Sequence, residues 1–257
     1  MIIRPPGITS ALTDPLTGWL EGYHLVEPLI EGVGKGLITA FPGLPEALID
    51  TVPVDYVVNL ILAACAGTDA RDTPAVYQIG TSHLNPITLG EIEQIWRTYF
   101  QEQPMTDDKG RPIHVRPIRF YRQPEQFARK LYLQYQLPLS LAERAMSLLW
   151  FADSLGPYRR LMRWVVKSRQ RIERVRSFSD LYSAYSTNSW IFMNEAPREL
   201  LEKLDAKDRT TFGFDVQDLD WQAFWTQVHI PGMRRFVLEE HPADSRFGHG
   251  IRPEARY

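Results

Sequence analysis

Gly32, Gly34 and Gly36, with Lys35 among them, are the nearest approach in this chain to a phosphate-binding turn. Such a turn works when it follows a strand and opens a helix, because the helix's free N–H groups then point at the phosphate. Here the glycines follow a helical pattern, so they read as a loop. No G-x-G-x-x-G or G-x-x-G-x-x-G occurs anywhere in the sequence. Metal chemistry is equally ill served. The six histidines, at 24, 83, 114, 229, 241 and 249, include no pair at i, i+4, and Cys65 is a lone thiol in an apolar run. No metal site is expected. No Ser or Cys sits in a nucleophile elbow. Asp55, at the head of an apolar run, has two readings: a catalytic carboxylate, or an N-cap accepting backbone N–H bonds. Its spacing favours the cap, so no catalytic residue is assigned.

Charge is unevenly spread. The net −2 combines −10 over residues 1–108 (4 Lys/Arg, 14 Asp/Glu), +12 over 109–178 (16 and 4) and −4 over 179–257 (9 and 13). Much of the positive charge lies in Tyr158–Phe178, where eight Lys/Arg stand against Glu173 alone. Met162, Trp164, Val165 and Ile172 supply an apolar side. This stretch reads as a solvated basic face, as one that meets the acidic first segment, or as an interfacial helix on an anionic membrane. Nothing resembles a nucleic-acid module, and no nucleic-acid partner is expected.

These residues must be positioned by a globular chain. Apolar residues make up 44% and charged residues 23%, and 257 residues suffice for one large domain or two small ones. Tyr56–Ala66, the longest near-uniform apolar stretch, is interrupted by Asn59 and falls short of the ~20 residues a spanning helix needs. Met1-Ile2-Ile3-Arg4-Pro5 has no basic n-region or cleavage site. The expected location is cytoplasmic, with peripheral contact at a membrane surface.

Ile2-Ile3 reads as a buried strand. Asp14-Pro15 reads as a helix start, with Leu16, Trp19, Leu20 and Tyr23 on one face and Pro28 ending it. Val52–Ala66 reads as a buried helix stopping at Gly67, and Val76–Ile79 as a second strand. Thr88 and Glu91 form a capping box, and Ile92, Ile95, Trp96, Tyr99 and Phe100 line the core face of the helix it opens. Asp107–Pro117 is polar with two prolines and marks a boundary. Beyond it the pattern predicts helices over 124–135, 139–152, 157–178, 195–205 and 218–228, and no strand. The expected class is α/β: a C-terminal remnant of a Rossmann-type domain over 1–108, with two strands plus helices. A mostly helical domain follows over 109–240, then a disordered tail over 241–257.

Several stretches, in order along the chain, resemble the fatty acyl-CoA reductases, a branch of the extended short-chain dehydrogenase/reductases. They include Arg4-Pro5, Ile8 with Ser10-Ala11-Leu12, Asp14-Pro15 and Gly18-Trp19-Leu20-Glu21-Gly22. Gly34-Lys35-Gly36 follows, then Ile49-Asp50 and Val52-Pro53-Val54-Asp55-Tyr56-Val57-Val58-Asn59. Further matches are Tyr77 with Gly80-Thr81-Ser82, Asn85-Pro86-Ile87-Thr88, Phe214-Asp215-Val216, Asp220-Trp221, His229-Ile230-Pro231-Gly232 and Arg234-Arg235-Phe236.

The resemblance implies reduction of a fatty acyl thioester by NADPH, through an aldehyde, to a fatty alcohol. It implies that Pro5, Gly7 and Ile8 line the nicotinamide end of the cofactor pocket, or else form an ordinary strand end. It also implies two devices that this sequence lacks: the Gly-rich phosphate turn, and a Tyr-x-x-x-Lys pair that protonates the substrate oxygen. The chain alone is therefore expected neither to reduce acyl-CoA nor to hold NADPH tightly, and a partner supplying the N-terminal reductase half is expected. The aromatics Trp150, Trp164, Trp190, Trp221, Trp225, Phe212 and Phe214 read as an ordinary helical core or as walls of an acyl tunnel. Coenzyme A phosphates join the candidate partners of the basic stretch. The alternative function is a non-catalytic helical module binding lipid, a membrane surface or a partner.

Overall fold

The computed structural model describes residues 1–23, 26–67, 75–147 and 156–238. The expected tail over 241–257 and Trp150 lie outside them. Parallel strands hold the front of the molecule. β1 (Ile2–Arg4) pairs with β5 (Val76–Gln78), so the two strands expected from sequence are each other's partners. After Pro5-Pro6 the chain switches neighbours, and β2 (Gly7–Thr9) pairs with β4 (Thr51–Pro53). β3 (Ala40–Pro42) pairs with β6 (Arg119–Tyr121). The described residues thus hold six short strands where two are expected, and β6 lies beyond the predicted boundary. Ala-Phe-Pro and Thr-Val-Pro are three residues long, too short to show a period of two.

α1 (Glu27–Gly34) starts at Pro28 rather than ending there, because proline at the first helical turn lacks only an N–H that would be unpaired anyway. Gly32 and Gly34 therefore lie in a helix, not in the expected loop. Packing selects glycine at the second of them: a Cβ on Gly34 would come within 2.8 Å of Phe100 and Met105. The segment from Asp14, expected to be helical, forms turns up to residue 23 around a cis Asp14–Pro15 bond.

α3 (Leu89–Glu102) follows expectation, and α2 (Val54–Gly67) starts two residues later than expected because Val52 and Pro53 pair in β4. Thr88 Oγ1 accepts from the Glu91 N–H, and the Glu91 carboxylate accepts from the Thr88 N–H. The Thr88 hydroxyl and the Thr88 N–H, both donating to the Glu91 carboxylate, hold its carboxyl below the usual pKa. α4 (Pro124–Leu131), a π turn (Tyr132–Gln136) and α5 (Leu137–Ser147) run against α6 (Gly156–Ser186). α7 (Glu195–Lys203) and α8 (Ala206–Thr211) precede a closing segment: α9 (Trp221–Ala223), a π turn (Phe224–His229) and α10 (Ile230–Phe236). Asp220 caps α9, its carboxylate accepting from the Ala223 N–H.

The larger core joins early and late sequence: Val26, Ile30, Phe41, Trp96 and Phe100 pack with Phe224, Trp225 and Met233. A second core sets α2 and β5 against α7, with Leu60, Tyr77, Leu200 and Phe214. Among the described residues Leu139, Val165 and Ile172 form a third, inside the α5–α6 hairpin. Among the described residues no helix is long and apolar enough to cross a membrane.

Candidate functional site

A cavity of about 880 Å³ opens between the β2–β4 pair and the larger core. Its wall is mostly apolar, with Leu29, Val33, Ile38, Phe41, Ile92 and Trp225 at its heart. These residues belong to the main core, while exposed Ile8, Tyr185 and Trp190 also line the cavity, so it runs from the core out to the surface.

Pro5, Gly7 and Ile8, the residues expected at the nicotinamide end, all line one side of this cavity. Gly7 donates its N–H to the Asp50 carbonyl, and Ile8 is exposed. Beside them, Thr51 is paired in register with Gly7 and is 2% exposed, yet its Oγ1 has no hydrogen-bond partner. A buried hydroxyl without a partner is costly, so this edge has unmet capacity to bond a polar group. Asp50 accepts from the Thr81 N–H and Oγ1 and the Ser82 N–H, which fixes the loop after β5 against this edge. No sequence pattern marks Thr51 or Asp50 for these duties, since both depend on strand pairing across the chain.

The aromatic set divides. Trp225 is buried and Trp190 exposed, and both line the cavity. Phe214 belongs to the second core, and Trp221 packs on the first while donating its indole N–H to the Asn85 carbonyl. Trp164 and Phe212 are exposed.

Asp55 is not the N-cap expected of it. It lies in the first turn of α2, and its carboxylate accepts from the backbone N–H groups of Leu12 (3.0 Å) and Thr13 (2.9 Å). It therefore pins the turn segment that carries Trp19 and Leu20 to the cavity wall.

Glu27 and Glu93 are buried acids on the wall. Glu93 accepts from Arg97 Nε and from the Ile118 N–H. Glu27 faces His229 Nε2 at 3.6 Å. His229 is wholly buried, and loss of hydration pulls its pKa down to about 3, so the ring is neutral at pH 7. Its Nδ1 accepts from the Ser10 N–H (3.3 Å), which leaves the ring proton on Nε2. At 3.6 Å a neutral ring makes neither an ion pair nor a proper hydrogen bond with Glu27. Among the described residues no three His, Cys, Asp or Glu side chains gather as a metal site would require.

The basic segment does not turn its charge toward the acidic first part through Arg169 or Arg176. Arg169 pairs with Glu143 and Glu173, and Arg176 with Asp180, all within the same hairpin. Arg122 does cross over, to Glu46.

Comparison with known proteins finds relatives of this sequence. Residues 1–61 and residues 155–240 match two family models, each described as "Male sterility protein". The first is the NAD-binding one. The chain is 31% identical over 244 residues to the chloroplastic fatty acyl-CoA reductase 2 of Arabidopsis thaliana, covering 93% of this chain and 38% of that protein. It is 33% identical over 246 residues to the probable fatty acyl-CoA reductase 5 of the same plant, covering 93% and 48%. It is 30% identical over 243 residues to the alcohol-forming fatty acyl-CoA reductase of Simmondsia chinensis, covering 92% and 47%. The chain thus spans less than half the length of each of these relatives, and over most of its own length it is homologous to them.

Proposed function

We propose that this homologue of the fatty acyl-CoA reductases is the substrate-side portion of an NADPH-dependent enzyme that reduces fatty acyl thioesters. The cavity carries the reading. Its apolar interior has room for a long aliphatic chain, and the Pro5–Thr9 edge closes one side of it. In the proposal the thioester carbonyl lies at that edge and the chain runs inward past Leu29, Val33 and Ile92. NADPH, when bound to the complete enzyme, supplies hydride to that carbonyl. Pro5, Gly7 and Ile8 border the nicotinamide, and the Thr51 hydroxyl offers a hydrogen bond to a polar group there. The apolar walls exclude water, which protects an aldehyde intermediate from hydration.

The 257 residues hold neither a Gly-rich phosphate turn nor any Tyr with Lys four residues on. In this reading another segment supplies both. Val58, Ile61 and Leu62 form an exposed apolar stripe on α2, and Ile2 and Val76 are exposed on the β1–β5 pair. Such a face suits the packing of further α/β layers.

The test is direct binding. A long-chain fatty alcohol is expected to quench tryptophan fluorescence of the purified chain, and Leu29→Trp, which fills the cavity, to weaken the effect at least tenfold. Absence of quenching by any long-chain alcohol or acyl group would overturn the reading. The second reading, a non-catalytic lipid- or membrane-binding module on the cytoplasmic side, is favoured by the exposed basic face of residues 158–178. It predicts the same ligand binding but no recovery of NADPH oxidation when a Gly-rich, Tyr-x-x-x-Lys-bearing polypeptide is added.

A further inference from the structure

α6 buries one side and leaves the other open. Val165, Ile172 and Tyr182 face inward, and Arg160, Arg163 and Lys167 are exposed. Helical spacing of three and four residues puts those three cations in one stripe. Trp164 is 58% exposed and lies beside Arg160 and Lys167; Met162 and Val166, also exposed, lie beside Arg163 on the other flank. Exposed cations with Trp and Met beside them on one open face suit contact with an anionic lipid surface. Leu181 and Tyr185 continue the same face at its far end, on an axis about 37 Å long at 1.5 Å per residue from Arg160.

That far end meets the cavity. Tyr185, Trp190 and Phe192 line it, while Trp190, Ile191 and Met193 project exposed apolar surface around it. The open face of α6 is therefore continuous with the cavity rim. The carboxylates that pair with Arg169 and Arg176 lie on the hairpin itself, and Arg160 and Lys167 stand exposed beyond them.

We infer that the open face of α6 docks on an anionic lipid bilayer, with Arg160, Arg163 and Lys167 against the headgroups. Trp164, with Leu181 and Tyr185, then sits at the level of the acyl boundary. Docking turns the cavity rim toward the lipid, so an apolar ligand passes between bilayer and cavity without crossing water. Only that passage rests on the acyl-cavity reading; the surface contact does not.

Vesicle flotation of the full chain tests it. The chain is expected to float with phosphatidylcholine vesicles containing phosphatidylserine, not with phosphatidylcholine alone, and to be released by added salt. At about fivefold per basic residue near an anionic surface, the double variant Arg160→Gln, Lys167→Gln is expected to lower the partition coefficient about 25-fold. Trp164→Ala is expected to lower it as well, with helix content by circular dichroism unchanged in both. Equal binding to neutral vesicles, no binding to anionic ones at low salt, or an unaffected double variant would overturn the assignment. So would release by coenzyme A but not by sodium chloride of equal ionic strength, which would mark the stripe as a site for soluble phosphates. If alcohol fails to quench while vesicles still bind, the cavity reading falls and the docking surface stands.

Discussion

Gly18 and Gly232 meet backbone to backbone: a Cβ placed on Gly232 would stand 1.9 Å from the Gly18 carbonyl oxygen. Gly18 itself has φ +75°, and a Cβ there would lie 2.5 Å from the Val228 carbonyl oxygen. Neither obstacle is the end of a flexible side chain, so neither can swing aside. Gly232→Ala is expected to cost about 3 kcal/mol, or about 6–12 °C in Tm for a chain of this size. Thermal unfolding followed by circular dichroism checks this; an unchanged Tm would mean that the turn segment and α10 separate readily.

Asp55 makes a second prediction at the same turn. Asp55→Ala leaves the Leu12 and Thr13 N–H groups without their acceptor in a part-buried place. The expected loss is about 2–4 kcal/mol, and Asp55→Asn, which keeps one carbonyl oxygen, is expected to lose less. Since the turn holds Trp19 and Leu20 on the cavity wall, Asp55→Ala is also expected to weaken fatty alcohol binding in the fluorescence titration.

His229 predicts a pH dependence. In the unfolded chain its ring titrates near the ordinary 6.5, whereas burial holds the folded value at about 3. Between those two values the unfolded chain binds a proton that the folded one refuses. Stability is therefore full above about pH 6.5 and falls as pH drops toward 3, with a slope of up to about 1.4 kcal/mol per pH unit from this group. The urea midpoint, measured across this range, is expected to fall more steeply for the native chain than for His229→Gln. Equal slopes would show that the ring gains a proton without unfolding.

The purified chain is expected to oxidise no NADPH in the presence of a long-chain acyl-CoA. The motivating facts are the absent phosphate turn and Tyr-x-x-x-Lys pair. A spectrophotometric assay at 340 nm decides it; turnover by these 257 residues would require a proton donor and a cofactor grip other than those the resemblance implies.

Signals carried by neighbours in sequence could be read before the structure. Thr88 and Glu91 need only each other, and the α2 run needs only its own apolar residues; both form as expected, α2 from Val54 onward. Positions settled by distant partners could not. Asp14-Pro15 shows a helix start, but the N–H groups of residues 12–14 go to Asp55, 41 to 43 positions away. Position 34, at the end of α1, takes glycine because Phe100 and Met105 leave no space for a side chain. Pro5, Gly7 and Ile8, expected from the resemblance at a nicotinamide site, line the cavity. Thr51 and Glu27 gave no local sign, because strand register and a histidine 202 positions further on define their surroundings.

Ser10 and His229 touch across 219 positions, and the cavity is closed by Trp225 from the same late segment. A nascent chain therefore has no finished pocket until that segment has cleared the ribosome exit tunnel. Up to that moment Ile30, Trp96 and Phe100 lack the neighbours that cover them, which makes the half-translated polypeptide a natural client for chaperones that bind greasy surface.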